Sequence, residues 1–267
     1  MGIKCRRCCL RLNIFSYLCA LKVCKKMNVA IDQGNACLKA GVFDGEELIE
    51  ETSSCDGQWT YLLEKYPVGN SIVSSVGDGL QDIVRLLQSR RGRLIELNEH
   101  TRLPIANRYK TPATLGKDRL ATAVAAHGLM PGRNCLVIDA GTCITYDFVN
   151  DGGEFLGGNI SPGMAMRFRA LNAYTKRLPL LSYSGRPPFL GDSTESAICA
   201  GVVHGISLEM DGYIGHLKER YADLSVFLTG GDTIFFENTL KSSIFAHPFL
   251  ALAGLNRILN YNTIDSD

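Results

Sequence analysis

A duplicated device sets the strongest limit on what this chain can fold into. Asn28-Val-Ala-Ile-Asp32-Gln-Gly34-Asn35 is a short apolar β-type run ending in Asp-x-Gly-polar, and Cys135-Leu-Val-Ile-Asp139-Ala-Gly141-Thr142 repeats it 107 residues later. Such a repeat predicts two related structural units. The first copy continues through 37–43, turns at Asp44-Gly45 and returns over 46–51. The second continues over 144–149, turns at Asp151-Gly152-Gly153 and returns over 154–160. Asp-Gly between alternating apolar runs is a strong hairpin signal, so each unit is expected to open with a strand and a β-hairpin.

The remaining segments alternate strand and helix. Segments 72–76 and 93–97 read as strands, and 80–91 puts Leu80, Ile83, Val84, Leu86 and Leu87 on one helical face. After Pro112, segment 115–127 carries Leu115, Leu120, Val124 and several alanines at helical spacing, with Gly128 as a stop signal. Segments 164–174 and 194–221 are further helices, the latter with Ile198, Val202, Ile206, Met210 and Ile214 at four-residue steps. A buried strand over 224–229 ends in Thr229-Gly230-Gly231-Asp232, and 249–259 closes the chain as a helix. The pattern predicts an α/β protein of two halves, 27–130 and 131–267, each a mixed sheet flanked by helices. With 46% apolar and 21% charged residues the chain can bury a core, and 27 glycines predict loops whose backbone approaches a ligand closely.

Charge and cysteine both divide at Met27. Residues 1–26 hold seven basic residues and no acidic one, which leaves the remainder at −6 out of a total of +1. A mildly acidic body without a basic stripe argues against nucleic acid as a partner. Five of the ten cysteines precede Met27, and the other five show no framework spacing, which points to a reducing, cytoplasmic setting. Cys5-x-x-Cys8 lacks a second ligand pair for zinc, and the apolar run 14–21 is too short to span a membrane. Residues 1–26 therefore read as a dispensable extension, with a strand beginning at Asn28.

Asp-x-Gly-Asn or Asp-x-Gly-Thr at a strand-to-hairpin turn suits a nucleotide. Glycine lets backbone N–H groups reach phosphate oxygens, the polar side chain adds a donor, and the carboxylate holds a cation that screens phosphate charge. Two copies plus Thr229-Gly230-Gly231 after a late buried strand point to nucleotide binding. Gly116-Lys117-Asp118-Arg119 adds a carboxylate able to accept a hydroxyl proton and a guanidinium able to pair with a carboxylate. On residue type alone, the plainer reading of Asp118 and Arg119 is charge on the first turn of a helix, that of Tyr109 is half-buried packing, and that of Trp59 is core. His100, His127, His204, His216 and His247 have no nucleophile or ligand partner in the sequence.

Taken in order, Asp32-Gln-Gly-Asn-Ala-Cys-Leu-Lys39, Tyr109 with Gly116-Lys-Asp118-Arg119, Asp139-Ala-Gly-Thr142, Gly157-Gly-Asn-Ile-Ser-Pro-Gly163 and Leu178-Pro179 resemble the motifs of type III pantothenate kinases. The resemblance runs from about residue 27 to 259. It implies two ribonuclease H-like halves of the actin-like, sugar-kinase and heat-shock ATPase superfold, clamping ATP between the hairpins while the late Gly-Gly turn meets adenosine. It implies that Asp32, Gln33, Gly34, Asn35, Ala36, Cys37, Leu38 and Lys39 form the ATP phosphate loop and that Thr142 is a second phosphate contact. Asp139 would bind a monovalent cation, potassium or ammonium, with magnesium accompanying ATP. Tyr109, Gly116, Lys117, Asp118, Arg119 and Thr194 would hold pantothenate, with Asp118 as general base. The product would be 4′-phosphopantothenate, on the first step of coenzyme A synthesis. A homodimer through the 194–221 helix, with each pantothenate site completed near that interface, is implied as well.

Two positions depart from the motif: Ala36 replaces the usual threonine after Asn35, and Lys117 stands where a small residue is common. Two other readings remain open, another small-molecule kinase of the superfold and a catalytically silent nucleotide-binding regulator. Retention of Asp118 argues against the second.

Overall fold

The computed structural model describes residues 26–34, 37–54, 58–75, 80–90, 92–182 and 185–263. The expectations for residues 1–25, Asn35 and Ala36 lie outside the described residues.

The two Asp-x-Gly runs become the central strands of two sheets. β1 (Met27–Gln33) pairs antiparallel with β2 (Leu38–Asp44), and β2 with β3 (Glu47–Ser54); β4 (Val68–Ser75) and then β5 (Leu94–Glu96) add in parallel on the other side. The order is β3-β2-β1-β4-β5. In the second sheet β7 (Cys135–Ala140) has β8 (Cys143–Val149) and β9 (Glu154–Pro162) antiparallel on one side. Parallel β10 (Ser225–Thr229) and β11 (Phe245–Ala246) lie on the other. Read from β9, this sheet repeats the first strand for strand, and the two-residue β6 (Ala106–Asn107) extends its edge. The sequence repeat is therefore a structural duplication. Each hairpin turns through a glycine with positive φ, Gly45 at 64° and Gly153 at 73°, where a side chain would be strained.

Strand alternation decides which helices cover which face. Val29 and Ile31 of β1 pack with Trp59, Leu62, Leu63, Ile83 and Leu87, a layer formed by α1 (Tyr61–Lys65), α2 (Leu80–Gln88) and the turn before α1. Trp59 is core, as its setting suggested. On the second sheet Leu136, Ile138, Tyr146 and Phe148 pack against α4 (Met164–Ala173) and α5 (Thr194–Arg220), whose Ile198, Val202, Ile206, Met210 and Ile214 are buried.

Between the sheets lie α3 (Lys117–Leu129) and α7 (Leu250–Thr263). One core joins Ala30, Phe43 and Ile72 of the first sheet, Val149 and Phe155 of the second, and Ala121, Val124, Leu252, Leu255 and Ile258 of the two helices. The short α6 (Thr233–Phe236) follows β10. The helix nearest the end of the chain also binds its beginning: Asn28 Nδ2 donates to Asn256 Oδ1 at 2.9 Å, and Asn256 Nδ2 donates to the Gly45 carbonyl at 2.7 Å.

α3 departs from the sequence expectation at both ends. It starts at Lys117, because Leu115 and Gly116 are extended with ψ of 130°, and it runs through Gly128 to Leu129. Gly128 is not a stop. A Cβ there would overlap the guanidinium of Arg257 on α7, so this glycine makes room for a side chain whose Nε donates to Glu46 Oε2 at 2.7 Å.

The two central helices come close together at Gly254, where a Cβ would overlap the Ala121 carbonyl. The obstacle is backbone, which cannot swing aside. Gly254→Ala is expected to cost about 1–3 kcal/mol or more through overpacking, read as a lowered denaturation midpoint at unchanged m-value. An unchanged midpoint would mean that the helices have slack at this crossing.

Candidate active site

The register of each sheet brings the two repeated aspartates to equivalent places. Asp32 stands opposite Ser74 of β4 and Lys39 of β2, and Asp139 opposite Thr229 of β10 and Thr145 of β8. In β1, Asp32 shares a face with Ala30, and in β7, Asp139 shares one with Val137. Ala30 and Val137 both pack toward the central helices, so both aspartates point to the cleft between the halves. Asp118 enters that cleft from the first turn of α3. Its Oδ1 accepts from the Arg119 backbone N–H at 2.8 Å, and a Cβ at Gly116 would overlap it, so glycine there leaves the carboxylate room to fold back over the helix start.

Three carboxylates that lie far apart in sequence feel one another here. Burial raises Asp32 to about 6, with Asp118 adding to the rise and Lys39 opposing it. Burial raises Asp139 to about 7, again with Asp118 and Asp32 adding and Lys39 opposing. Among the described residues no lysine or arginine forms an ion pair with Asp118, Asp139 or Asp32.

Arg119 is almost completely buried, and its side chain turns away from Asp118. Its Nε donates to Asp147 Oδ1 and Oδ2 at 2.9 and 3.1 Å, and its Nη2 donates to Oδ1 at 2.6 Å. Its Cζ lies 5.7 Å from the Tyr109 ring centroid, and the half-buried Tyr109 packs on Phe155 and over Gly157. Burial works to lower the Arg119 pKa, but the Asp147 carboxylate outweighs it and holds the guanidinium charged.

The other sequence-singled residues fall around this centre. Gly34 N–H donates to the Cys37 carbonyl at 3.2 Å and closes the first turn; Gln33 Oε1 accepts from Ser75 Oγ at 2.8 Å; Cys37, Leu38 and Lys39 are half-buried. Thr142 is exposed at the second turn, and its carbonyl accepts from Gly163 N–H at 3.1 Å. That explains the glycine of Ser161-Pro162-Gly163, where a Cβ would overlap the Gly141 and Thr142 carbonyls. Gly230, at φ 96°, lies against the Ala140 carbonyl and the Asp139 carboxylate, which puts Thr229-Gly230-Gly231 beside the second Asp-x-Gly turn. Lys117 is half-buried at the helix start.

Thr194 is not drawn into the carboxylate cluster. It is exposed at the start of α5 and lines an apolar groove of about 840 Å³ between α4 and α5, with Arg167, Leu171, Tyr174, Leu178 and Ile198. Sequence reasoning missed Asp147. Its one signal was a carboxylate in the middle of the apolar strand Ile144–Val149, an expensive place for charge without a partner. No helix among the described residues is long and apolar enough to cross a membrane.

Two duplicated sheets that bring paired aspartates to a central cleft define an actin-like ATPase fold. Solved structures agree on the fold. A Campylobacter jejuni protein assigned to the Baf family of transcriptional activators superposes with a TM-score of 0.59 at 22% identity, over 88% of this chain and 99% of that one. A Listeria monocytogenes protein assigned as an N-acetylmannosamine kinase gives 0.52 at 15% identity, over 88% and 99%. A model of the type III pantothenate kinase family matches residues 28–216. Type III pantothenate kinases of Phocaeicola vulgatus and Bacteroides fragilis are 50% and 48% identical over 239 residues, covering 88% of this chain and 99% and 98% of theirs.

The chain belongs to the type III pantothenate kinase family. It is an enzyme that phosphorylates pantothenate with ATP in coenzyme A biosynthesis.

The raised carboxyl groups carry a pH signature. In the unfolded chain these aspartates titrate near 4, whereas in the folded, ligand-free protein they titrate at about 6 and about 7. Folding thus takes up protons in that interval, and the stability these groups contribute is complete below about 4 and lost as pH rises through about 6–7. The melting temperature of the ligand-free protein is expected to carry a falling component from pH 5 to 7.5 that Asp139→Asn reduces. Scanning fluorimetry at fixed ionic strength checks this, and an equally steep fall in the variant would place the source elsewhere.

Proposed function

We propose that Asp118 is the general base that takes the proton of pantothenate's primary hydroxyl as that oxygen attacks the γ-phosphorus of ATP. The bond from that phosphorus to the β,γ-bridging oxygen breaks, giving 4′-phosphopantothenate and ADP. The observation that carries this reading is the convergence of Asp118, at the start of the central helix, with Asp32 and Asp139 from the two hairpins. Phosphoryl transfer needs an oriented alcohol, a proton acceptor and screened phosphates. Gly34, Cys37, Leu38 and Lys39 line one wall of the phosphate site, Thr142 the other, and Lys39 supplies a positive charge felt by Asp32 and Asp139 alike.

The donor set suits a cation. Asp139 is a desolvated carboxylate pressed by three others, Asp118, Asp32 and Asp147, with its Oδ1 against the Gly230 turn, and such a crowd of negative charge favours a bound cation over a bare phosphate. Asp139 would hold the monovalent ion, potassium or ammonium, with magnesium accompanying ATP. A cation there supplies screening of phosphate charge. Arg119 and Tyr109 receive the pantothenate carboxylate end, and Lys117 adds positive charge at the same helix start. The cytoplasm is the setting that the scattered cysteines favour.

A coupled assay of ADP release with pantothenate tests the roles. Asp118→Asn should lower kcat by about 10²–10⁴, the usual worth of a positioned base, with little change in KM. Replacing potassium by sodium should lower wild-type turnover, and Asp139→Asn should blunt that response. Turnover of Asp118→Asn within about threefold of wild type, with chemistry rate-limiting, would remove Asp118 from the role.

The enzyme works as a homodimer through α5. Gly201, Gly205, Leu208, Gly212 and Gly215 recur at steps of four and three along one stripe, opposite the buried Ile198, Val202, Ile206, Met210 and Ile214. A Cβ at Gly201, Gly212 or Gly215 would meet nothing, and Leu208 is 56% exposed. Interior glycines cost a helix up to about 1 kcal/mol each, a cost that close approach of a second α5 offsets. The Thr194 groove beside that stripe is then completed at the interface. Light scattering after size exclusion should show a dimer that Leu208→Glu converts to monomer, and a wild-type monomer at assay concentration would reject this arrangement.

A further inference from the structure

We propose that Asp147 is a positioning residue of this kinase. It holds the Arg119 guanidinium side-on, with the Nη1 edge presented to the substrate carboxylate, and keeps that cation off the neighbouring Asp118. The proposal rests on the reading of Arg119 as the group that receives the pantothenate carboxylate.

The geometry is specific. Asp147 is fully buried in β8, and its three hydrogen bonds from Arg119 use Nε and Nη2 only, so the Nη1 edge faces away from it. Tyr109 flanks the guanidinium, its ring centroid 5.7 Å from the Arg119 Cζ. A Cβ at Gly158 of β9 would come within 2.6 Å of Asp147 Oδ1 and overlap the Tyr146 carbonyl, so glycine there leaves the carboxylate its space, while the Tyr109 ring lies in ordinary contact over Gly157.

The hairpin itself does not call for a carboxylate at this position. Asp147 stands opposite Val137 in β8, and the duplicated position in the first half, opposite Ala30 in β2, is Gly41. A buried ion pair adds little to stability over an apolar pair of similar volume, because two desolvated charges offset their attraction. What this pair does provide is direction. Arg119 follows the proposed base in sequence, and an untethered guanidinium there would pair with Asp118 and withdraw it from proton transfer.

Steady-state kinetics of the full chain test this with Asp147→Asn, which keeps the shape but weakens the charge-assisted bonds. The expected result is a rise of about 10-fold or more in KM for pantothenate, with KM for ATP within about twofold and kcat lowered much less than in Asp118→Asn. In an Arg119→Ala background the same substitution should add no further rise, since the two residues act as one unit. A KM rise in Arg119→Ala without one in Asp147→Asn would overturn the positioning role alone. No rise in either variant would overturn the clamp reading, and the proposal with it. Equal losses toward ATP and pantothenate together with a lowered melting temperature would leave only a structural ion pair and reject the proposal. Should Asp147→Asn fail to fold, Asp147→Glu keeps the charge but displaces it by one methylene. A pantothenate KM unchanged in that variant would count against Asp147, and a raised KM at near-normal turnover would support it.

Discussion

The crossing of α3 and α7, with Gly254 laid against the Ala121 carbonyl, determines where every functional group can stand. Both sheets pack on these helices, so their spacing fixes the distance between the halves. α3 reaches the cleft with its N-terminus, the end where backbone N–H groups lack intrahelical partners and negative charge is favoured. Arg119 one residue on faces β8, so the first turn of one helix addresses the cleft with Asp118 and the second sheet with Arg119. A wider crossing would move Asp118 away from both repeated aspartates together.

The electrostatics of the cleft are those of a site built for a charged guest. Asp32 and Asp139 are raised chiefly by burial and secondly by Asp118, and Lys39 counters both. One lysine against three carboxylates leaves an excess of negative charge, and ATP brings more.

Much of this was legible in sequence because the repeat is local. Asp32, Gly34, Asp139 and Gly141 announce themselves through short apolar runs and Asp-Gly turns, and those signals do not depend on distant contacts. Asp118 was legible only through its motif, since an acidic residue in a first helical turn is otherwise ordinary. What stayed hidden depends on partners far along the chain. Gly128 reads as a helix stop until Arg257, more than a hundred residues away, is seen to fill the space beside it. β6, two residues long, exists because Ala106 and Asn107 meet Glu154 and Phe155, which no periodicity could announce. The stripe of Gly201, Gly205, Leu208, Gly212 and Gly215 was masked by the stronger buried pattern on the opposite face of α5.

Duplication followed by divergence is visible at single positions. Opposite Asp32 stands Lys39, and opposite Asp139 stands Thr145, so one half supplies a charge where the other supplies a hydroxyl. One pair further along the strands, Gly41 faces Ala30 and Asp147 faces Val137. A Cβ at Gly41 would crowd Leu48, Phe43 and Leu252 of α7, so the first half uses that position to seat a helix closely. In the second half the same position reaches instead for Arg119 of α3. At this position the two sheets thus meet the central helices by different means, apolar contact on one side and a buried ion pair on the other. The side with the ion pair is the one beside Tyr109 and Asp118.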